Sequence, residues 1–182
     1  MRISKQWAIV IGVIAVLVGG AVVLVRLGTD VKTVNVGNPA PDFAAVDLAT
    51  GDSVSLRARY AGNVTLVNIW ATWCIPCRLE MPTMEQVYDS LAPQGFKIAA
   101  VSVDEGPPEE VLAFAQDLKL SFDILQDRRQ RIQQLYQTSK VPESFLLNRD
   151  GIIVKRIIGA YDWNSTANRA LIARLLAEPA RS

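Results

Sequence analysis

The sequence contains no histidine, and cysteine occurs only twice. Without histidine, a Ser-His-Asp or Cys-His hydrolase has no general base, and metal or haem centres that need imidazole ligands are excluded within one chain. A structural zinc site needs four cysteine or histidine ligands, so two cysteines cannot complete one. Proton transfer must therefore use carboxylates, thiols, lysine, tyrosine or water. We expect neither a bound metal nor another cofactor.

An excess of charge of either sign is also missing. The chain has 19 basic and 18 acidic residues, a net charge of +1. Arg2, Lys5 and Arg26 flank an N-terminal apolar run, so the remaining 16 basic and 18 acidic residues leave the rest of the chain at −2. A weakly acidic body has no electrostatic reason to bind nucleic acid. The basic residues within 128–131 fall on a predicted helix and are interpreted as a solvated face.

The apolar run covers residues 7–25, which carry no charge. As a helix it would be about 28 Å long, close to the ~30 Å hydrocarbon core of a bilayer. A cleaved signal peptide is the alternative, but its apolar region is usually shorter and Gly19-Gly20-Ala21 is a weak cleavage site. Arg2 and Lys5 ahead of the run favour a cytoplasmic N-terminus. The predicted organisation is a cytoplasmic N-terminus (1–6), a transmembrane anchor (7–25), a linker (26–37) and an extracytoplasmic domain (38–182).

Both cysteines lie in one motif, Trp-Cys-Ile-Pro-Cys at residues 73–77. An apolar, strand-like stretch at 64–70 precedes it, and a helical pattern of apolar residues follows it. Cys74 is therefore expected at a helix N-terminus, where free N–H groups and the helix dipole stabilise a thiolate. A purely structural disulfide is the alternative, but closing so short a loop would contribute little stability. The motif indicates electron transfer between dithiols and disulfides.

Strands alternate with helices through the rest of the chain, which predicts an α/β domain with a mixed sheet. Two segments, 49–52 and 148–151, have the composition of hairpin turns. Asp127 is expected to cap a helix. The predicted strands cover residues 43–47, 52–56, 64–70, 96–103, 122–125, 144–147 and 152–158, and the predicted helices cover 75–91 with Pro82 inside, 108–118, 128–136 and 165–176.

Three segments carry a resemblance to a known family. They are N-I-W-A-T-W-C-I-P-C-R-L-E-M-P at 68–82, V-P-E-S-F-L-L-N-R-D-G at 141–151, and N-P-A-P-D-F at 38–43 with the hairpin that follows. Over about residues 36–178 the chain resembles the TlpA/ResA branch of membrane-anchored thiol–disulfide oxidoreductases. The resemblance implies a thioredoxin-like fold with an N-terminal β-hairpin extension and a central insertion, preceded by one transmembrane helix.

The resemblance also assigns roles to residues of the motif and of the second segment. Cys74 matches the exposed attacking cysteine and Cys77 the buried resolving one. Pro142 matches the proline whose preceding peptide bond is cis in this fold, with the backbone of Val141 pairing with the substrate peptide. Trp73 is expected in the exposed rim around the motif. Substrate contacts are therefore expected from Trp73, Ile75, Pro76, Val141 and Pro142.

Three polar residues complete the expected site. Glu80 stands where ResA-like proteins carry an acid, and we expect it to be partly buried, to have a raised pKa and to exchange protons with Cys77. Asn68 stands where thioredoxin has a buried acid; because it cannot titrate, Glu80 becomes the better candidate for proton transfer. Glu143, which follows Pro142, is either a carboxylate that discourages acidic partners beside the substrate groove or a solvated one, and the solvated interpretation is favoured.

The resemblance favours a reductase whose partner is the haem-binding CxxCH motif of apocytochrome c, during cytochrome c maturation. Electrons would come from a membrane thiol conduit of the CcdA/DsbD type. The alternatives are a general reductase or oxidase for other exported proteins, including copper-centre assembly factors, and a peroxiredoxin-like peroxidase. A copper-carrying module is disfavoured because it would use CxxxC with a distant histidine.

Overall fold

The protein is described by a computed structural model over residues 5–27 and 33–180. The chain divides into two compact units, Met1–Lys32 and Thr33–Ser182. In the first unit, α1 spans Lys5–Leu27. Within the described ranges, no helix is both long enough and apolar enough to cross a membrane. The transmembrane anchor therefore stays a prediction, and the parts of the predicted N-terminus and linker at 1–4 and 28–32 lie outside the described residues.

One seven-stranded mixed sheet organises the second unit, in the order β2-β1-β5-β4-β3-β6-β7. The pairs β3–β4 and β4–β5 are parallel and the other neighbours are antiparallel. The strands are β1 (Ala44–Asp47), β2 (Ser53–Ser55), β3 (Val64–Trp70), β4 (Phe96–Ser102), β5 (Asp123–Gln126), β6 (Glu143–Leu147) and β7 (Ile153–Ile158), and the helices are α2 (Leu56–Tyr60), α3 (Ile75–Leu91), α4 (Pro108–Asp117), α5 (Arg131–Leu135) and α6 (Thr166–Ala177).

The central strands bring three loops to one edge of the sheet. All seven residues of β3 are buried, as a strand covered on both faces requires. The parallel pairing of β3 with β4 runs to Trp70 opposite Ser102, so both carboxyl ends lie at this edge. The antiparallel β6 begins there, with Glu143 opposite Ile69. The loops after β3 and β4 and the loop before β6 therefore meet where the cysteine motif follows β3.

The N-terminal hairpin extension is present, but its second strand is shorter than expected. β1 and β2 pair antiparallel, and β1 also pairs with β5, which attaches the hairpin to the main sheet. The sequence predicts a strand to residue 56, whereas the strand ends at Ser55 and α2 begins at Leu56. The Ser55 hydroxyl accepts a hydrogen bond from Ala58 N–H and so caps α2, a signal that the apolar pattern does not contain.

The helix around residues 128–136 is also shorter than expected. It begins at Arg131, because Gln130 has a left-handed backbone conformation with φ of 54°. Asp127 does bind the start of this segment: its carboxylate accepts hydrogen bonds from Arg129 N–H at 3.2 Å and Ile132 N–H at 2.8 Å. By contrast, β3 and α3 have the predicted bounds.

Candidate redox site

The two cysteines form a disulfide at the N-terminus of α3. Cys74 is the N-cap residue, and its Sγ accepts a hydrogen bond from Cys77 N–H at 3.2 Å. The predicted placement at a strand-to-helix junction is confirmed. Cys77 is fully buried, as expected, but the expectation that Cys74 is exposed is wrong for this disulfide form, in which it is only 4% exposed. The disulfide and the capping contact hold the Cys74 sulfur against the helix.

Four exposed side chains beside the disulfide are apolar. Trp73 and Ile75 are 69% and 76% exposed, and Pro76 is exposed as well. Leu79, also 69% exposed, was not expected from the sequence, although it follows Ile75 by four residues and so lies on the same helix face. Trp73, Ile75, Pro76 and Leu79 form what we call the apolar rim.

The peptide bond between Val141 and Pro142 is cis, as expected. Pro142 is buried directly before β6, and its carbonyl accepts a hydrogen bond from Gly159 N–H at 2.8 Å. Because β6 begins beside the end of β3, Val141 and Pro142 lie at the same sheet edge as the cysteine motif. Among the hydrogen bonds of the described residues, none involves the backbone of Val141.

Glu80 lies one helical turn beyond Cys77 and is 2% exposed. Its carboxylate accepts hydrogen bonds from Asn68 Nδ2 at 2.6 Å and from Tyr161 N–H at 3.1 Å. Burial raises the pKa of Glu80 to about 7, and the two hydrogen bonds oppose that rise. The expected burial and raised pKa of Glu80 are both found. The contact from Tyr161 was not anticipated, because no local pattern brings a residue 81 positions away to this helix.

Asn68 links three elements beneath the motif. Its Nδ2 donates to Glu80 on α3 and, at 2.9 Å, to Ser144 Oγ on β6. Its Oδ1 is buried and has no hydrogen-bond partner among the described residues. A free acceptor next to Glu80 suits a carboxyl group that changes its protonation state, since the amide can turn so that its oxygen accepts a hydrogen bond from the O–H of neutral Glu80.

The interpretation of Glu143 as a solvated carboxylate is wrong. Glu143 is 1% exposed, and its Oε1 accepts a hydrogen bond from Arg156 Nε at 2.6 Å. Arg156 also donates from Nη1 to the Val34 carbonyl at 2.8 Å. The register of β6 and β7 places the two side chains close together, so the ion pair arises from hairpin geometry. Glu143 therefore anchors the strand that follows Pro142.

Asp104 is a further buried carboxylate at this edge and was not singled out from the sequence. It follows β4, is 8% exposed, and accepts hydrogen bonds from both the backbone and the hydroxyl of Thr72, two residues before Cys74. An acid at the end of a buried apolar strand is the sequence signal that could have identified it. Among the described residues, no group of three or more Cys, Asp or Glu side chains could hold a metal ion.

Comparison with known proteins gives a consistent picture. The AhpC/TSA family matches residues 36–156. The thiol-disulfide oxidoreductase ResA of Geobacillus kaustophilus (strain HTA426) is 34% identical over 158 residues, which cover 87% of this chain and 88% of that protein. ResA of Geobacillus thermodenitrificans (strain NG80-2) is 35% identical with the same coverage.

Solved structures agree with these sequence matches. A putative thiol:disulfide interchange protein DsbE from Chlorobium tepidum has a TM-score of 0.71 and 28% identity, covering 80% of this chain and 100% of that one. A putative protein disulfide isomerase from Bacteroides thetaiotaomicron has a TM-score of 0.71 and 27% identity, covering 80% of this chain and 92% of that one. The thioredoxin-like fold expected from the sequence is confirmed.

Proposed function

Because this chain belongs to the AhpC/TSA family and is a thiol–disulfide oxidoreductase of the ResA type, we propose that it works as a reductase of disulfides in exported partner proteins. The observation that carries the proposal is the position of the Cys74–Cys77 disulfide at the N-terminus of α3, with Cys77 N–H directed at the Cys74 sulfur. After reduction, the same N–H stabilises a Cys74 thiolate, which is the attacking species in disulfide exchange.

In the first step, the Cys74 thiolate attacks one sulfur of the partner disulfide. A mixed disulfide forms between Cys74 and the partner, and the partner's second sulfur leaves as a thiolate, which takes up a proton from water. In the second step, Cys77 loses its proton and its sulfur attacks Cys74 Sγ. The mixed disulfide breaks as the Cys74–Cys77 disulfide forms, and the partner's remaining sulfur leaves as a thiolate that takes up a proton from water, so the partner is released as a dithiol. Two electrons have moved from this chain to the partner.

We assign to Glu80 the role of accepting the proton that Cys77 loses. It lies one turn further along α3, and its pKa of about 7 allows it to accept and release a proton near neutral pH. Cys77 is fully buried, so direct exchange with bulk water is restricted. Asn68 and the Tyr161 N–H hold the carboxylate in place.

The partner peptide would bind across the cis-proline loop. The backbone of Val141 supplies one N–H and one C=O for pairing with an extended segment. The apolar rim of Trp73, Ile75, Pro76 and Leu79 would cover side chains that flank the partner's cysteine. Because these contacts are main-chain and apolar, they suit an unfolded segment better than a folded surface.

The favoured partner is the CxxCH segment of apocytochrome c, whose two thiols must be reduced before haem is attached. This proposal is supported by the similarity to the ResA proteins. Other exported proteins with disulfides, including copper-centre assembly factors, are the alternative substrates. Re-reduction of Cys74–Cys77 would come from a membrane thiol donor of the CcdA/DsbD type, because a compartment outside the cytoplasm is oxidising.

We place the catalytic domain outside the cytoplasm, held by a single-pass anchor at residues 7–25. This proposal is supported by the uncharged apolar sequence of that segment and by Arg2 and Lys5 ahead of it. The described side chains of α1 between Val10 and Val23 are exposed, which suits contact with lipid.

A peroxidase is the second candidate, favoured by the match to the AhpC/TSA family. A peroxidase of this kind attacks peroxide with a cysteine that follows a T-x-x-C pattern, whereas Thr72 precedes Cys74 by two. The two activities separate in one assay: the reduced protein is offered hydrogen peroxide or a disulfide peptide at equal concentration. If the protein is a reductase, the disulfide peptide should oxidise it much faster than hydrogen peroxide does.

Trapping of mixed disulfides tests the proposed function. Replacement Cys77→Ser removes the resolving thiol, so the variant should accumulate covalent complexes with a CxxCH peptide disulfide. The variant Cys74→Ser is the matched control and should trap little, because Cys77 is buried. Equal trapping by both variants, or trapping by Cys74→Ser alone, would refute the assignment of Cys74 as the attacking thiol.

A further inference from the structure

The carboxylate of Asp104 receives three hydrogen bonds at the sheet edge that carries the disulfide. Its Oδ2 accepts from Thr72 N–H at 2.9 Å and from Ser102 Oγ at 2.6 Å, and its Oδ1 accepts from Thr72 Oγ1 at 2.7 Å. Asp104 is 8% exposed. A buried carboxylate costs free energy unless its oxygens are satisfied, and here three neutral donors satisfy them.

Thr72 belongs to the loop of residues 71–73, which joins β3 to the N-cap of α3. The loop is held at its start by Val103 N–H, which donates to the Trp70 carbonyl at 2.9 Å. At its end, Cys74 N–H donates to the Ala71 carbonyl at 3.2 Å. The two bonds from Thr72 to Asp104 lie between these points and attach the middle of the loop to the end of β4.

Asp104 is fixed in turn by its own neighbours. Its N–H donates to Ser102 Oγ at 3.1 Å, and its carbonyl accepts from Gln126 Nε2 on β5 at 3.0 Å. Asp104 is therefore attached to two central strands, its backbone carbonyl to β5 and its carboxylate to Ser102 of β4, and any displacement of Thr72 has to break hydrogen bonds to a rigid residue.

We propose that Asp104 is a positioning residue for thiol exchange: through its two hydrogen bonds to Thr72 it holds the Cys74 loop so that the Cys74 sulfur stays in reach of Cys77 N–H. The inference rests on the proposed function, in which a Cys74 thiolate attacks the partner. A loop free to move would lose the capping contact at 3.2 Å and with it part of the stabilisation of the thiolate.

Geometry and charge make opposite predictions for Asp104. If its negative charge dominated, it would disfavour a nearby thiolate, and removal of the charge would lower the pKa of Cys74. If positioning dominates, loss of the hydrogen bonds raises that pKa. The first two turns of α3 carry the charged groups Arg78 and Glu80, and Arg78 pairs with Asp117 of α4 at 2.6 Å. Glu143 begins β6 and Glu105 follows Asp104. All of these groups are kept in every variant below.

Asp104→Asn separates the two effects. The amide oxygen can still accept from Thr72 N–H and Ser102, and the Thr72 hydroxyl can turn to accept from the amide N–H₂. The geometry is then kept without the charge, whereas Asp104→Ala loses both. Thr72→Val removes one bond from the loop side with little change in shape. Ser102→Ala is the matched control: it removes both hydrogen bonds between the Ser102 hydroxyl and Asp104 but leaves the two contacts of Asp104 with the loop.

The experiment measures iodoacetamide alkylation of Cys74 against pH in the reduced full-length protein, with the modified cysteine identified by mass spectrometry. For Thr72→Val and Asp104→Ala, we expect alkylation at pH 7 to slow by about three- to tenfold, the range for one weakened hydrogen bond to a thiolate, with the midpoint moved to higher pH. Asp104→Asn and Ser102→Ala should stay within about twofold of the unchanged protein, since each keeps both loop contacts.

Unchanged profiles for Thr72→Val and Asp104→Ala would overturn the inference, as would slowing of Ser102→Ala equal to that of Thr72→Val. A fall in the alkylation midpoint of Asp104→Asn and Asp104→Ala alike would show that charge dominates, and would overturn it too. If Asp104→Ala does not fold, the comparison of Thr72→Val with Ser102→Ala is sufficient to test the inference. Failure of the unchanged protein to reduce any disulfide would count against the proposed function only, because alkylation needs no partner.

Discussion

The surroundings of Glu80 suit the proton transfer that we propose for this side chain. The groups that bind it, Asn68 Nδ2 and Tyr161 N–H, are neutral, so they hold the carboxylate without neutralising it. Burial then raises its pKa to about 7. The free Oδ1 of Asn68 gives the protonated form an acceptor. Both protonation states of Glu80 are therefore accommodated in one buried place.

The variant Glu80→Gln should change stability in a pH-dependent way. Below pH 4.5, the ordinary pKa, Glu80 is protonated in the folded and unfolded states, so it imposes no penalty. Between pH 4.5 and about 7 the unfolded chain ionises Glu80 while the folded state keeps it protonated, so stability falls across this window and remains lower above it. In the disulfide form, Glu80→Gln should be more stable than the unchanged protein at pH 8, by on the order of 3 kcal/mol, and similar to it at pH 4.

Denaturant unfolding at the two pH values measures this difference. Asp89→Asn is the control, since Asp89 is exposed on the same helix and its loss should leave the pH dependence unchanged. A constant difference between Glu80→Gln and the unchanged protein from pH 4 to pH 8 would show that Glu80 titrates near its ordinary value, contrary to this account.

At the residue scale, the sequence is most informative where a feature of the site depends on residues that are close together in the chain. The position of Cys74 at a helix N-terminus follows from residues that are neighbours in the chain, whereas the burial of Glu80 was expected from the family resemblance. Asp104 was missed because its partner Thr72 is 32 positions away. The interpretation of Glu143 as solvated was wrong because its ion-pair partner, Arg156, lies on the opposite strand of a hairpin. The turn sequence alone does not specify the register of that hairpin.

At the scale of elements, long apolar segments were predicted well and short capped ones were not. β3 and α3 have the predicted bounds because burial on both faces and a sustained helical period leave one solution. α2 has five residues, and the Ser55 cap defines its start. A helix of that length has too few turns to show a period. Hydrogen bonds from capping residues determine where such short helices begin, and the pattern of apolar residues contains no information about them.

Arg149 shows a turn residue stabilising a distant helix. It lies between β6 and β7, and its guanidinium donates to the carbonyls of Leu176 at 2.8 Å and Glu178 at 3.1 Å, at the end of α6. It also donates to the Gly62 carbonyl at 2.9 Å. The last carbonyls of a helix have no partner within it, so these bonds satisfy groups that would otherwise need water.

The variant Arg149→Ala should therefore lose about 1–3 kcal/mol of stability, the range for breaking hydrogen bonds to a charged donor. Arg174→Ala is the control: Arg174 makes one exposed contact to Glu178 at 3.9 Å and should lose less than about 0.5 kcal/mol. Equilibrium unfolding gives both values. Equal losses in the two variants would mean that Arg149 does not hold the end of α6.

At the scale of the whole molecule, the central question is the compartment in which the redox domain works. The proposed orientation predicts that protease added to intact spheroplasts removes the domain of residues 38–182 and leaves the N-terminal segment with the membrane. A cytoplasmic protein in the same preparation should survive, which controls for lysis. Full protection of the domain in intact spheroplasts, with digestion only after lysis, would refute an extracytoplasmic location.

The direction of electron flow depends on the molecule as a whole, since it is set by the stability of the dithiol form against the disulfide form. The site places one N–H on Cys74 and a titratable acid near Cys77, which equips the motif for exchange in either direction. A reductase must in addition be a stronger electron donor than its partner. The sequence could not supply this property, because it is a difference between two folded states.

The reduction potential of the Cys74–Cys77 pair is the most direct test of the proposed reductase. The full-length protein is equilibrated with dithiothreitol or glutathione buffers at pH 7, and the fraction of dithiol is measured by thiol trapping. We predict a potential below about −200 mV, more reducing than protein disulfide isomerase at about −180 mV. A value near the roughly −120 mV of DsbA would mean that the pair oxidises its partners, and would contradict the reductase function.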